Sequence, residues 1–421
     1  MNPPRAVGRV PDANQLDAEF DHESHRRCVA AIYPHGVSGG ILSGLRVIEV
    51  SAFVAAPLAG VTLAGMGADV IRVEQRGGGI DAARWPLFEG RSLYRAGLDQ
   101  GKRSLAIDLR SEVGQELVTQ LIAGSGESGG IVITNLGARG WMSYDRLTQR
   151  RPDLVMVVIS GSPRGGAAVD YTVNAGAGFP WVTGPEGWAG PVNHVLPAWD
   201  VATGVLAATA VLAAERHRRL VGRGQLVELA LSDVAVAVAA HLGLIAEAKL
   251  VAEPRGRFGN DLYGTYARDF RTRDGRYVMV CALTTRQWQS LGEATGRAEA
   301  FRALEAIHGT DLGDEGERFR HRREINVLIE PWIGERTLDE VGKAFAAAGV
   351  LWGPYRTFKE LVVEDPLAAD PPASPIGFAD FDRPQAPPAP AIGADTEALL
   401  TAELGLDPGQ VADLRAQGLI D

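Results

Sequence analysis

The sequence predicts an α/β protein: a doubly wound parallel sheet with a smaller α+β domain set into it. Three observations lead there. Leu45 to Glu74 reads strand, helix, strand in quick succession, and so tight a repeat requires a parallel pair. The alternation then continues as far as about Leu229. Near Pro254 the texture changes to a hairpin pattern followed by charged helices.

Residues 1–41 form an irregular preface. The first strand is Leu45–Val50, where apolar and polar residues alternate. Pro57 stands at a first helical position, the helix runs to Met66, and Gly67 stops it. Asp69–Glu74, Ser104–Leu109, Gly130–Thr134 and Leu154–Ser160 are further strands, with a helix over Val113–Ala123. A glycine-rich loop (Arg164–Gly178) leads to a long helix, Val201–Leu220. Its basic end, Arg216 to Arg219, suits the negative pole of a helix dipole, and Gly222 closes it. Gln225–Leu229 is a strand, and Ser232 caps a second long Ala/Val helix. Tyr263–Leu283 reads as a hairpin around Asp274-Gly275. Leu338–Ala348 and Phe358–Glu364 are helical, and Val350–Trp352 is a short strand between them. Pro366–Pro390 runs as an extended arm, and capped helices from Asp395 and Pro408 close the chain.

Composition narrows the function. The 421 residues are 46% hydrophobic and 22% charged, which suits a folded protein of two or three units. With 42 basic against 52 acidic residues the net charge is −10, so a phosphate-neutralising nucleic-acid face is not expected. Cys28 and Cys281 make neither a disulfide framework nor a metal set, which points to a reducing cytoplasm. The first thirty residues lack a signal-peptide core. The longest apolar stretch, Leu229–Ala246, contains Asp233 and His241 and reads as a buried helix with a core histidine, so no membrane span is expected.

Motifs narrow it further. Ser51–Pro57 follows the first strand where a dinucleotide fold would carry G-x-G-x-x-G, and Gly77-Gly78-Gly79 is a tight loop after the second. No nicotinamide cofactor is expected. Gly36–Gly40 satisfies G-x-S-x-G in letters only, since no helix follows it. No histidine pair has metal spacing, so no metal is expected, and His194, in a loop, is the one histidine considered for a site. Asp170 follows a strand end inside the Gly/Ala-rich stretch Gly165–Gly178. Ligands of open α/β sheets bind at the carboxyl ends of strands, where glycine lets a backbone approach closely. The alternative reading of Asp170 is a loop-capping carboxylate.

Several segments together resemble the class III CoA-transferase family. They are Leu45–Glu74, Gly101–Ser104 with Ile107–Leu109, Val169-Asp170-Tyr171, Gly222–Gln225 with Asp233, Gly353-Pro354-Tyr355, Lys359–Leu361 with Asp365-Pro366, and Glu403–Leu406. Ser51–Leu58, Gly77–Pro86, Ala138–Trp141 with Ser143–Asp145, Val169–Asn174, Asn193–Asp200, Ala213–Leu220 and His241–Glu247 resemble members that move CoA between the two carboxyl groups of one C5 unsaturated diacid. Those members serve a carbon-fixation cycle through 3-hydroxypropionate.

The resemblance implies a Rossmann-like large domain from both ends of the chain (42–252 and 337–421), a small domain (253–336), and an interlocked homodimer. It implies Asp170 as the catalytic carboxylate, acylated through a mixed anhydride and an aspartyl-CoA thioester, with no cofactor beyond the CoA of the acyl-CoA substrate. It implies CoA contacts from Phe53, Ala55, Arg72, Arg76, Lys102, Arg103, Asn135 and Arg139. Arg84, Tyr171 and His194 are candidates for the diacid's spare carboxylate, and the glycines near Asp170 or Gly256–Gly259 for oxyanion donors. An intermolecular CoA transferase shares every motif, an α-methylacyl-CoA racemase shares the fold, and a non-catalytic CoA-binding protein is the third alternative.

Overall fold

The structure is a computed structural model that describes residues 40–421 apart from residues 125, 127, 166, 254, 383 and 384. Except for Gly40, the G-x-S-x-G stretch lies outside them, as does Cys28. The large sheet has six parallel strands: β1 (Arg46–Val50), β2 (Asp69–Glu74), β3 (Arg103–Ala106), β4 (Ile131–Thr134), β5 (Val155–Ser160) and β6 (Leu226–Ala230). Their order is β3-β2-β1-β4-β5-β6. The direction of winding therefore reverses between β1 and β4, and the crevice beyond their carboxyl ends is the natural ligand site of such a sheet.

Both faces of the sheet are covered, which is why its strands are nearly continuous apolar runs. The period of two sends Val47, Ile131, Ile133, Val155 and Val157 to one core. There they meet helix α1 (Ala55–Gly65) and the first long helix. Ile48, Val50, Ile71, Val73 and Leu105 face the other core, against Leu117, Leu121 and the C-terminal Leu399, Leu400, Val411 and Leu414. The chain end also covers the β3 edge: Asp395 and Thr396 side chains accept from the amides of Ser104 (2.8 Å) and Ala106 (3.0 Å).

Between Asp170 and the small domain the chain forms α2 (Asp170–Gly176), the short helix Phe179–Val182, α3 (Ala198–Val221), α4 (Leu231–His241) and α5 (Leu244–Leu250). A Cβ on Gly204 of α3 would lie 2.7 Å from the Ala55 carbonyl oxygen and 2.9 Å from Leu58, so glycine is what lets α3 close on α1. The apolar stretch Leu229–Ala246 is not one buried helix. Gly243, at φ 78°, breaks it between α4 and α5, leaving His241 and Leu242 exposed. His241 is thus not the core histidine its apolar neighbours suggest, because its turn projects beyond the packed face.

The small sheet is antiparallel, β9-β8-β7, from β7 (Tyr266–Arg271), β8 (Tyr277–Ala282) and β9 (Leu351–Pro354). Its core joins Tyr266, Val278, Val280, Trp288, Ile325, Ile329, Val341 and Phe345. Helix Leu338–Ala348 and β9 belong to this unit, so the expected boundary at 336 falls inside it. A four-residue strand carries no sign in sequence of the partner it will pair with; register with β8 decides.

Candidate active site

Three turns meet at the crevice where the sheet reverses. After β1 the chain passes through Ser51–Val54 into α1, and Phe53 takes φ 65°, a conformation that a bulky residue holds only when its surroundings impose it. The cause is visible. The Phe53 amide donates to both carboxylate oxygens of buried Asp81, at 3.1 Å each. Across the reversal, Asn135 after β4 clasps Ala52 in both directions, accepting from its amide at 3.0 Å and donating to its carbonyl at 2.6 Å. The Phe53 ring is left at the surface of the crevice, 38% exposed.

Two aspartates face each other across the start of α3. The residue before that helix, Pro197, has no side-chain oxygen to satisfy the free amides of the first turn. Asp170 supplies one: its Oδ2 accepts from the amides of Trp199 (2.7 Å) and Asp200 (3.0 Å). Asn174, one turn further along α2, accepts from the Trp199 indole at 3.1 Å. Asp170 is only 2% exposed, and its Oδ1 is buried without a hydrogen-bond partner.

Asp200 differs in each respect. Its side chain is half-buried and makes no hydrogen bond or ion pair among the described residues. Burial and the Asp170 carboxylate push its pKa up to about 6, against the pull of the Arg84 guanidinium. Such a group is mostly ionised at neutral pH yet more basic than an ordinary carboxylate. Sequence reasoning passed over Asp200 as part of a resembling stretch. The available signal was an acid in the first turn of an apolar helix whose cap is proline.

Around Asp200 lie Arg84 and Tyr94. The Arg84 guanidinium stacks 4.4 Å from the Tyr94 ring centroid and 5.2 Å from that of Phe53. It forms no ion pair among the described residues. Burial raises the Tyr94 phenol, which also senses Arg84, Asp200, Asp81 and Tyr171. The other two carboxylate candidates brace the loop before α3: the Tyr171 hydroxyl donates to the Val195 carbonyl (3.1 Å), and His194 Nδ1 meets the Leu196 carbonyl at 2.6 Å. Gly256–Gly259 is held nearby through buried Arg257, which donates to the carbonyls of Pro180, Trp181 and Trp188.

The residues expected at CoA fall into three groups. Phe53 and Asn135 line the crevice, Ala55 is buried at the start of α1 behind the Phe53 turn, Arg76 follows β2 at the same edge, and Arg139 is exposed beyond β4. Arg76 bonds Asp421 at 2.9 Å while remaining exposed.

Arg72 and Lys102 instead lie beneath the Phe53 turn in a buried ionic network. Lys102 Nζ is 2.7 Å from Glu49 and 2.9 Å from the Pro57 carbonyl. Arg72 reaches Asp99 at 2.6 Å and Asp81 at 2.7 Å. Arg95 reaches Glu74 at 2.7 Å, and Ser104 donates to the same carboxylate at 2.6 Å. Burial opposes the charge on Arg72, but Glu49, Asp99 and Glu74 overcome it and raise its pKa. Four carboxylates absorb three cations here, so Arg72 and Lys102 have no charge to spare for a phosphate. Arg103 sits at the amino end of β3, where it grips Asp69 at 2.5 and 2.8 Å. That is the edge of the sheet away from the crevice. These three basic residues therefore hold the scaffold, and the expectation that they touch CoA is corrected by where their charges go.

Comparison with known proteins shows the family. The pattern of CoA-transferase family III matches residues 42–396. A 2-methylfumaryl-CoA isomerase of Chloroflexus aurantiacus is 50% identical over 400 residues, covering 90% of this chain and 98% of that protein. A succinyl-CoA–D-citramalate CoA-transferase of the same organism is 28% identical over 409 residues, covering 90% and 98%. A CAIB/BAIF family protein from Brucella suis superposes with a TM-score of 0.72 at 25% identity, covering 87% of this chain and all of that one.

Proposed function

The chain belongs to CoA-transferase family III, and on that premise we propose that it is a 2-methylfumaryl-CoA isomerase, moving CoA from C1 to C4 of mesaconyl-CoA within one substrate molecule. Half-identity to such an isomerase along nine-tenths of the chain supports the substrate. One observation carries the chemistry: Asp200 is an unpaired, half-buried carboxylate at the crevice, whereas Asp170 is sealed and occupied in capping α3. A nucleophilic oxygen has to be reachable by the thioester carbonyl. We therefore assign the acylated residue to Asp200 and give Asp170 the positioning role.

The steps balance without an outside acid or base. An Asp200 carboxylate oxygen attacks the C1 carbonyl, giving a mixed anhydride and the CoA thiolate. The thiolate attacks the aspartyl carbonyl, which forms an aspartyl-CoA thioester and releases mesaconate inside the cavity. The C4 carboxylate attacks that thioester in turn, and the thiolate closes the cycle at C4 while Asp200 recovers its charge. Holding these partners together is worth about 7–11 kcal/mol in comparable intramolecular reactions.

The Phe53 turn, Ala55, Asn135, Arg76 and Arg139 are the residues we assign to CoA. Amides of the Gly256–Gly259 segment remain the assigned oxyanion donors. The working form is a homodimer, interlocked as the resemblance implies. Its support is the exposed apolar side chains on α3 to α5, among them Leu206, Val236 and Leu250, with Leu242 at the break between α4 and α5. The free thiol of Cys281 suits a reducing cytoplasm.

The test is to supply mesaconyl-CoA alone and separate the C1 and C4 thioesters by chromatography. Turnover without any added acid is expected, with a hydroxylamine-trapped derivative on Asp200 and none with Asp200→Ala. A rate that depends on an added acceptor acid would identify an intermolecular transferase instead.

A further inference from the structure

We propose that Arg84 is the specificity-determining residue of this site, its guanidinium receiving whichever carboxylate of the diacid is not joined to CoA. The inference rests on the isomerase reading and deepens it.

Three features converge. First, Arg84 lacks the partner that nearly every other half-buried arginine here has: it forms no ion pair among the described residues. Its neighbours are the faces of Tyr94 and Phe53. Ring faces steer a guanidinium but leave its N–H donors free, and those donors match the two oxygens of a carboxylate. Second, the scaffold holds that cradle still. Phe53 is pinned through Asp81, and Asp81 is in turn gripped by Arg72 at 2.7 Å. Tyr94 belongs to the short helix Leu93–Leu98, whose neighbour Arg95 is bonded to Glu74. Third, Arg84 is close enough to act on the Asp200 carboxylate without touching it. A short diacid bound between them would have one end at the nucleophile and the other at the guanidinium.

The charges facing Asp200 are Asp170 and Arg84, and Tyr94 faces it as a phenol. Arg84 is the sole cation in that set. A monocarboxylic acyl group would leave it unpaired, whereas a diacid neutralises it. Because the two ends of mesaconate exchange roles during the reaction, one guanidinium serves both half-reactions: it holds C4 while C1 reacts, then C1 while C4 reacts. That also explains how free diacid is retained between them.

The experiment measures binding in an Asp200→Asn background, so that no turnover intervenes. Dissociation constants of mesaconyl-CoA, crotonyl-CoA and CoA itself are compared for Arg84, Arg84→Gln and Arg84→Lys. We expect Arg84→Gln to weaken mesaconyl-CoA by 10- to 100-fold, roughly the worth of one charge-assisted pair. Crotonyl-CoA and CoA should stay within twofold, and lysine should recover part of the loss. An equal loss for all three ligands would make Arg84 a structural or CoA-binding residue, and no loss for mesaconyl-CoA would also overturn the proposal. If mesaconyl-CoA fails to bind even with Arg84 intact, the isomerase reading itself is what fails.

Discussion

Replacing Asp200 by asparagine removes the charge that the site makes costly, so it should abolish turnover while making the protein more stable. The carboxyl group is held at about 6 against an ordinary 3.8. A pKa unit corresponds to 1.36 kcal/mol, so the penalty for charging it in the fold has a ceiling of about 3 kcal/mol. Water reaches the half-buried side chain, and screening reduces this to about 1–2 kcal/mol.

The sign follows from linkage. The unfolded chain loses this proton near 3.8, whereas the folded chain keeps it to about 6. Stability therefore drains from the wild type as pH rises between those values. The Asp200→Asn protein should match the wild type at pH 3.5, pull ahead through pH 4–6, and stay ahead by about 1–2 kcal/mol at pH 8. Urea unfolding at each pH measures the difference, and the same samples give turnover of mesaconyl-CoA. A variant less stable than wild type at pH 8, or one that still forms an acyl-enzyme, would refute the assignment of Asp200 as a strained, unpaired nucleophile.

Two other substitutions separate scaffold from chemistry. Asp170→Asn keeps an oxygen to cap α3 but removes the like charge beside Asp200, so the acid limb of the kcat/KM profile, expected near pH 6 for the wild type, should move to lower pH. A variant that loses the acyl-enzyme altogether would return the nucleophile to Asp170. Lys102→Met removes the 2.7 Å partner of buried Glu49, while Asp99 keeps Arg72 and Arg95, and should cost about 3–5 kcal/mol in urea unfolding. The KM for the CoA substrate should stay within twofold in the folded fraction; a large rise would mean that Lys102 reaches the phosphates after all.

The parallel sheet was legible because its strands obey simple rules. Ile48 and Val47 alternate between two cores, and Pro57, Gly67 and Gly222 mark helix ends where their backbone preferences require. The loop holding Asp170 was legible as part of the site for the same reason: it follows a strand end. Its role was not. In sequence an aspartate in a glycine-rich loop reads equally as nucleophile or cap, and what separates them is the position of the α3 amides, supplied from residues about thirty positions away. Arg72 and Lys102 were misread for a related reason. A basic residue beside a strand looks available to phosphate until Glu49, Asp81 and Asp99 converge on it.

Periodicity, turn residues and charge balance, all local properties, were enough to establish the α/β class and the strand succession. Tertiary structure alone decided which acid is sealed and which is open, where the boundary of the small domain lies, and that Arg84 keeps its donors free. Those are questions of burial and pairing. A carboxylate or guanidinium acquires its chemistry from the groups packed around it, and distant segments of the chain become its neighbours only when the fold closes.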